Sequence, residues 1–318
     1  MLRHLAITVA LSTILGTWGL PASAADAPKP VFVRMIEQYP TPALKDLSGR
    51  EYKCLIDPAS LPKAPQEAFN ELWRRLEAGS EKGGFTATRS RKASKSLRVE
   101  STIKEYLDTP GQDLWKKGYL LRVTTKAKKG EGMRTITVKA IKDDVLRCLA
   151  TPLLVVGVEA RTEAEGNVGL GRHGQLAEYI EKGTSWSVSA EELGSLTLGD
   201  FGKFMPELLK LGLAAKTQLV STKVFAFQAK PGDLSMAGME PSPVSLEAWS
   251  RTPGGEILLF DLAFRVKGDY YSNTVAHKAA EGFMARVLYG DLKGSTLPDS
   301  DRWGGSKVRA LMKRPIGE

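Results

Sequence analysis

The residues best suited to chemistry in this sequence stand at every second position of short segments. In Arg161-Thr162-Glu163-Ala164-Glu165, one arginine and two glutamates alternate with small residues. Successive side chains of a β-strand point to opposite faces, so the three charged groups would share one face. Such a face can hold a phosphate-rich anion with its basic group and a divalent cation with its carboxylates.

The same alternation recurs along the chain, in segments 51–54, 120–126, 135–139 and 261–267. Each segment carries lysine or arginine on one face. Two arrangements explain this pattern. An open sheet would leave the charged face in water. A closed barrel of about eight strands would turn the charged faces inward, around room for one small ligand.

The supply of metal ligands points to a hard cation. The chain has three histidines and two cysteines, too few for a convincing zinc cage. Carboxylates prefer cations such as Mg²⁺ or Mn²⁺. Any metal site is therefore expected to consist of aspartate and glutamate.

One stretch of the sequence resembles the CYTH, or triphosphate tunnel metalloenzyme, family. The matching residues are Tyr106-Leu107-Asp108-Thr109-Pro110, Leu114, Gly118 and Leu120-Leu121-Arg122-Val123. Thr137-Val138-Lys139 and the segment 161–165 are similar to two later strand motifs of the family. The order and spacing agree from about residue 49 to residue 290.

The resemblance implies an α+β fold, in which an antiparallel eight-stranded β-barrel forms a tunnel with helices packed outside. It implies a tri- or polyphosphate as the bound partner and Mg²⁺ or Mn²⁺ as cofactor. The expected phosphate-binding residues are Lys53, Arg122, Lys139, Arg161 and Lys223. The expected metal ligands are Glu51, Glu163, Glu165 and Asp261. Glu163 and Glu165 would be catalytic, because their metal would polarise the phosphoryl group for attack by water.

The sequence departs from the family at two metal positions. The first strand of the family reads E-x-E-x-K, whereas here Gly49 stands at the first position. The last strand reads E-x-E, whereas here it is Asp261-Leu262-Ala263. Fewer carboxylates weaken metal binding. The sequence therefore leaves open a metal-dependent phosphoanhydride hydrolase, a non-catalytic polyanion-binding or structural module, and an ordinary exported β-sheet protein.

Hydrophobic periodicity and turn residues predict the elements that position these residues. Strands are expected at 51–56, 97–107, 119–126, 133–141, 153–165, 217–229 and 256–267. Helices are expected at 65–78 and 272–289, with helical pieces within 191–213. In the first helix, Phe69, Leu72, Trp73 and Leu76 follow the i, i+3, i+4, i+7 spacing of one buried face.

The N-terminus reads as an export signal. Met1–Ala24 has a basic start, an apolar run and an Ala-Ser-Ala cleavage site. The apolar run is shorter than the ~20 residues of a membrane anchor, the alternative interpretation. We expect a secreted or periplasmic protein without a membrane span in its mature chain. Residues 25–48 would form an extended leader, 49–290 the tunnel domain and 291–318 a C-terminal tail.

Composition excludes several classes of protein. The 318 residues are 42% hydrophobic, which excludes a wholly disordered chain, and include only two cysteines, which excludes a small disulfide scaffold. Cys54 and Cys148 could form a disulfide after export or remain separate buried thiols. The basic run 89–95 lacks aromatic residues and is expected to be a solvated loop, so nucleic acid is not an expected partner. The oligomeric state is left open.

Overall fold

The computed structural model describes residues 30–39, 43–126, 132–142 and 144–314. The predicted signal peptide 1–24 lies outside the described residues. In the described residues, no helix is both long and apolar enough to cross a membrane.

The described strands lie between residues 49 and 267. They are β1 (Gly49–Ile56), β2 (Phe85–Arg89), β3 (Glu100–Asp108), β4 (Tyr119–Lys126), β5 (Met133–Ala140), β6 (Ala160–Leu170), β7 (Leu176–Ser189), β8 (Val220–Ala229), β9 (Gly232–Met236), β10 (Met239–Pro243), β11 (Ser245–Ser250) and β12 (Ile257–Lys267).

Nine of these strands close into a barrel, in the order β1-β12-β11-β8-β3-β4-β5-β7-β6 and back to β1. Eight neighbouring pairs are antiparallel. The pair β1–β6 is parallel, with Arg50 opposite Gly166 and Cys54 opposite Leu170. The closed barrel is confirmed, whereas the prediction of eight antiparallel strands is wrong. A closed ring of nine strands cannot alternate direction throughout, so one neighbouring pair must run parallel.

The sequence-based prediction missed β7. Its partner β6 begins at Ala160 and runs to Leu170, later than the strand predicted over 153–165. The glycine-rich stretch between the two strands forms the tight turn of the β6–β7 hairpin. There Gly171 N donates to Gln175 O over 2.8 Å, and Gly174 adopts a φ of 83°.

Helices surround the barrel and cover one of its ends. They are α1 (Val31–Gln38), α2 (Pro65–Gly83), α3 (Arg91–Lys95), α4 (Asp113–Lys116), α5 (Val145–Ala150), α6 (Ala190–Leu193), α7 (Leu198–Gly202), α8 (Thr274–Gly282), α9 (Tyr289–Leu292), α10 (Ser300–Trp303) and α11 (Lys307–Met312). A π-helical stretch, Phe283–Leu288, joins α8 to α9, so the helix predicted over 272–289 is a composite. Two 3₁₀ helices lie at Pro58–Ser60 and Pro206–Leu211.

The outer faces of the strands form the main hydrophobic core. The buried face of α2 joins the outward-facing residues of β1 and β12, as its periodicity predicted. Phe69 meets Phe260 edge to face, with ring centroids 6.0 Å apart. A small sheet of β10, β9 and β2 completes this side. Burial of these apolar faces fixes which face of each barrel strand is left for the lumen.

The other side of the barrel is covered by the described part of the leader. Phe32, Met35, Leu44 and Leu47 are buried against the outer faces of β4, β5 and β7. Cys148 lies in this same cluster as a free thiol. Cys54 is also free and buried, so the structure has two separate thiols.

A buried ion network ties the N-terminal helix to the barrel wall. Arg50 on the outer face of β1 donates to Glu178 of β7 and to Glu281 of α8, each over 2.8 Å. The Glu281 carboxylate also accepts from the backbone N–H groups of Val31 and Phe32 at the start of α1. A carboxylate thus satisfies N–H groups that a helix cannot pair internally.

The C-terminal stretch predicted as a tail fills one end of the barrel. Val308, Leu311 and Met312 of α11 contact a lumen cluster that includes Trp249 and Leu259. We call the half of the lumen lined by Tyr106, Leu120, Val224, Trp249 and Leu259 the closed half. The opposite half, lined by Thr124, Thr135, Ser185 and Arg161, is called the open half.

The C-terminal stretch enters the barrel along a glycine contact. A Cβ added at Gly169 of β6 would lie 2.0 Å from the carbonyl carbon of Gly304. We expect Gly169→Ala to displace this segment and to lower the free energy of unfolding by at least ~1–3 kcal/mol. Urea denaturation measures this loss. Gly290→Ala is the control, because nothing lies within 4 Å of its added Cβ. Equal midpoints for both variants would contradict the packing described.

Candidate functional site

A row of polar side chains crosses the inner wall of the barrel. Cross-strand neighbours in this row are, in order, Tyr106, Arg122, Thr137, Ser185 and Arg161. On β3, β4 and β5, the residues adjacent to this row in sequence point the other way and belong to the outer hydrophobic core: Leu107, Leu121, Val123, Ile136 and Val138. The alternation therefore directs the charged face of each strand inward, as the barrel interpretation of the sequence requires.

Arg122 stands in this row without a carboxylate partner in the described part of the chain. One of its terminal nitrogens donates to the Thr137 hydroxyl over 3.2 Å. Its Nε is buried and has no hydrogen-bond partner among the described residues. The hydroxyls of Thr102 and Thr124 are likewise buried and have no partner there. Unpaired donors of this kind suit an oxyanion, because guanidinium and hydroxyl groups both donate to phosphate oxygens.

Glu51 and Lys53 form a pair on the inner face of β1. Lys53 Nζ lies 2.8 Å from a Glu51 oxygen and also donates to the side chain of Asn167. Burial would raise the pKa of Glu51, but the positive charges of Lys53 and Lys307 outweigh burial and lower it to about 2. Glu51 is therefore ionised and already neutralised by lysine.

Two further glutamates of the lumen also have basic partners. Lys139 Nζ lies 2.5 Å from Glu181, which faces Glu165 across the β6–β7 pair. Burial, together with the charge of Glu51, raises the pKa of Glu165. Arg265 lies 3.6 Å from Glu165.

Arg161 and Glu163 contact each other at the rim of the open half. Their closest atoms, Nη2 and Oε1, lie 2.5 Å apart, and the Arg161 side chain is 79% exposed. These two predicted residues belong to the inner face, but the structure places them at the entrance to the lumen.

Two residues of the sequence motifs lie away from the charged residues of the lumen. Lys223 is on the outer face of β8, where its ammonium is 3.3 Å from Glu105. The structure therefore does not bring Lys223 together with Lys53, Arg122 and Lys139. Asp108 accepts hydrogen bonds from the backbone N–H groups that start α4, so its carboxylate shapes the turn.

Sequence reasoning missed the centre of the lumen charge cluster. Lys307 Nζ lies 2.5 Å from Asp261 and 2.7 Å from Glu247, and Lys104 also pairs with Glu247. Burial lowers the pKa of Lys104 to about 8, since Glu247 only partly offsets burial and the charges of Lys307 and Arg122. Lys104 could have been found from the sequence, because it is two residues before Tyr106 in β3 and therefore lies on the same strand face. Lys307 comes from the predicted tail, where no pattern marked it.

Each predicted metal ligand is paired with a basic side chain. Glu51, Glu163, Glu165 and Asp261 each have a lysine or arginine within 4 Å. In the described residues, no group of three or more histidine, cysteine, aspartate or glutamate side chains could hold a metal. A Cβ at Gly49 would lie 2.7 Å from Arg265 Nε, so the side chain of Arg265 occupies the space beside this position.

The chain is similar to several solved structures. One is a Hippeastrum protein named as an adenylyl cyclase and described as having a dominant triphosphatase activity, at 12% identity and a TM-score of 0.42. This similarity covers 83% of this chain and 94% of that chain. Another is a Bacillus halodurans protein named as an adenylate cyclase, which is 13% identical at a TM-score of 0.40. This similarity covers 83% of this chain and 97% of that chain. A protein from Pyrococcus horikoshii is 13% identical at 0.35, covering 83% and 99%.

These neighbours are CYTH-type proteins, the family that the sequence motifs resemble. No protein-family model matches the chain. The search of curated proteins gives no significant match. With identities this low and TM-scores below 0.5, the closed barrel is established here by its own strand pairing.

The depressed pKa of Glu51 predicts a pH dependence of stability. Its folded value of about 2 lies below its ordinary value of 4.5, so its stabilisation is present above pH 4.5 and is lost as the pH falls towards 2. We expect Glu51→Gln to reduce the slope of unfolding free energy in this window by at most about 1.4 kcal/mol per pH unit. Urea denaturation of both proteins from pH 5 to pH 2 measures this. Parallel curves would count against the Glu51–Lys53 pair.

Proposed function

We propose that the chain binds a phosphate-rich anion, such as tripolyphosphate, in the open half of the barrel lumen. The observation that carries this proposal is Arg122, an inward-facing arginine with a buried, unpartnered Nε and no carboxylate partner among the described residues. A guanidinium presents a fork of donors that matches two oxygens of a phosphate group.

The surroundings of Arg122 favour an anion for two reasons. The hydroxyls of Thr102 and Thr124 lack partners in the described residues and can donate to further oxygens. The positive charge of Lys104 acts on the same region, since Arg122 and Lys104 interact electrostatically. A narrow lumen with low-dielectric walls concentrates the field of such groups.

Binding without hydrolysis is the form of this activity that the geometry favours. Hydrolysis of a phosphoanhydride requires a group that positions water and stabilises charge on the leaving phosphate. The candidate carboxylates Glu51, Glu163 and Glu165 are each engaged by a basic side chain. The described residues offer no cluster of three metal ligands that would supply this stabilisation instead.

Replacement of Arg122 tests the proposal. We expect Arg122→Gln to weaken tripolyphosphate binding about 10- to 100-fold, the worth of a hydrogen-bonded charge. Isothermal titration calorimetry in EDTA measures the affinity. Lys223→Gln is the matched control and should bind as the wild type does, because it removes an equal charge from the outer face of the barrel.

Phosphate release is measured on the same proteins with Mg²⁺ and with Mn²⁺. Tripolyphosphate binding without release is the expected result. Release that depends on Arg122 would show a hydrolase instead. Wild-type protein that binds no tripolyphosphate would overturn the proposal.

We propose further that the chain acts after export, on the basis of the signal-like segment Met1–Ala24. The mature protein should begin at Ala25 and be recovered outside the cytoplasm. Intact-mass measurement of protein expressed from the full sequence in a bacterial host tests this. A chain that keeps Met1 and stays in the cytoplasm would contradict it.

A further inference from the structure

The ammonium group of Lys307 lies between two buried carboxylates of the lumen. Its Nζ is 2.5 Å from Asp261 Oδ2 and 2.7 Å from Glu247 Oε2. Asp261 is fully buried and Glu247 is 3% exposed. The other oxygen of Asp261 is buried and has no hydrogen-bond partner in the described residues.

These two carboxylates need a cation because of where the strands place them. Glu247 of β11 and Asp261 of β12 are directly opposite each other in the β11–β12 register. Like charges directly opposite on one sheet face repel, and burial adds a desolvation penalty for each. Lys104 contacts Glu247, whereas Lys307 contacts both carboxylates.

The backbone around Lys307 holds the ammonium in a fixed position. Gly304 and Gly305 adopt positive φ angles and lie directly against Gly169 on the barrel wall. Two residues after Lys307, the guanidinium of Arg309 lies 5.7 Å from the ring centroids of both Trp115 and Tyr179. The cation is therefore delivered by a folded segment of the chain.

We propose that Lys307 is a built-in counter-cation, which does for Glu247 and Asp261 what a bound divalent cation would otherwise do. Two consequences follow. The first is that tripolyphosphate binding in the open half needs no metal, and this consequence rests on the proposed function. Removal of the ammonium alone converts the two carboxylates into a site for a divalent cation, because one or two carboxylates and water suffice for such ions.

The experiment compares Lys307→Ala with wild type, using MnCl₂ alone as the probe. Electron paramagnetic resonance counts bound Mn²⁺, and thermal unfolding with and without Mn²⁺ gives an independent readout. We expect Lys307→Ala to bind Mn²⁺ at least about tenfold more tightly than wild type and to gain melting temperature from it. Lys307→Arg and Lys216→Ala should behave as wild type, because the first keeps the charge and the second removes an exposed lysine.

The anion readout is kept separate from the metal readout. In EDTA, we expect tripolyphosphate affinity to fall about tenfold in Lys307→Ala and to be retained in Lys307→Arg, since the first leaves uncompensated negative charge in the lumen. Wild-type affinity should be the same with and without EDTA. If wild type binds no tripolyphosphate, the proposed function fails, whereas the Mn²⁺ result still decides the role of Lys307.

Two outcomes would overturn the inference. One is folded Lys307→Ala protein that binds no more Mn²⁺ than wild type. The other concerns the case in which Lys307→Ala does not fold. The triple variant Lys307→Ala, Glu247→Gln, Asp261→Asn removes the cation and both anions, and the inference then expects it to fold and to bind no Mn²⁺. A triple variant that also fails to fold would contradict a role limited to charge compensation.

Discussion

A closed barrel turns the charged faces of its strands inward, and every charge in that confined space needs compensation. Lumen carboxylates such as Glu181, Glu247 and Asp261 are buried, and a buried carboxylate without a cation carries a desolvation penalty of several kcal/mol. The chain answers this constraint with paired side chains, as between Glu51 and Lys53 and between Glu181 and Lys139. The exception is Arg122, whose charge has no described carboxylate beside it. Under the proposed function, this guanidinium is the group to which an anion would bind.

The outer faces of the barrel strands are subject to a burial constraint of their own. Apolar residues on the outer strand faces require cover, which α2, the small three-stranded sheet and the described leader provide. Where the outer face carries a charge, as at Arg50, the structure pairs it with Glu178 and Glu281. The registers of β1, β5 and β12 are therefore each fixed twice, by burial of apolar residues outside and by ion pairing inside.

The sequence predicted the elements with strong local patterns. Alternation in β4, β5 and β6 and the apolar stripe of α2 were enough to place Arg122, Lys139 and Glu165 on inward faces. Strand β7 was missed because Gly183 and its serine and threonine neighbours weaken the alternation. Lys223 was assigned by motif similarity alone, and its neighbours in β8 direct it outward. Lys307 could not be found from the sequence, because its partners are distant in the chain and meet it only after the barrel has closed.

The filled end of the barrel has a consequence for polymeric ligands. Helix α11 and the apolar residues around Trp249 occupy the closed half, so a linear chain of phosphates cannot thread from one mouth to the other. Under the proposed function, such a chain would enter past Arg161, which is exposed at the rim of the open half, and would leave by the same route. The protein would therefore grip a polymer by its terminus, and the number of binding events would follow the number of chain ends rather than the total phosphate content.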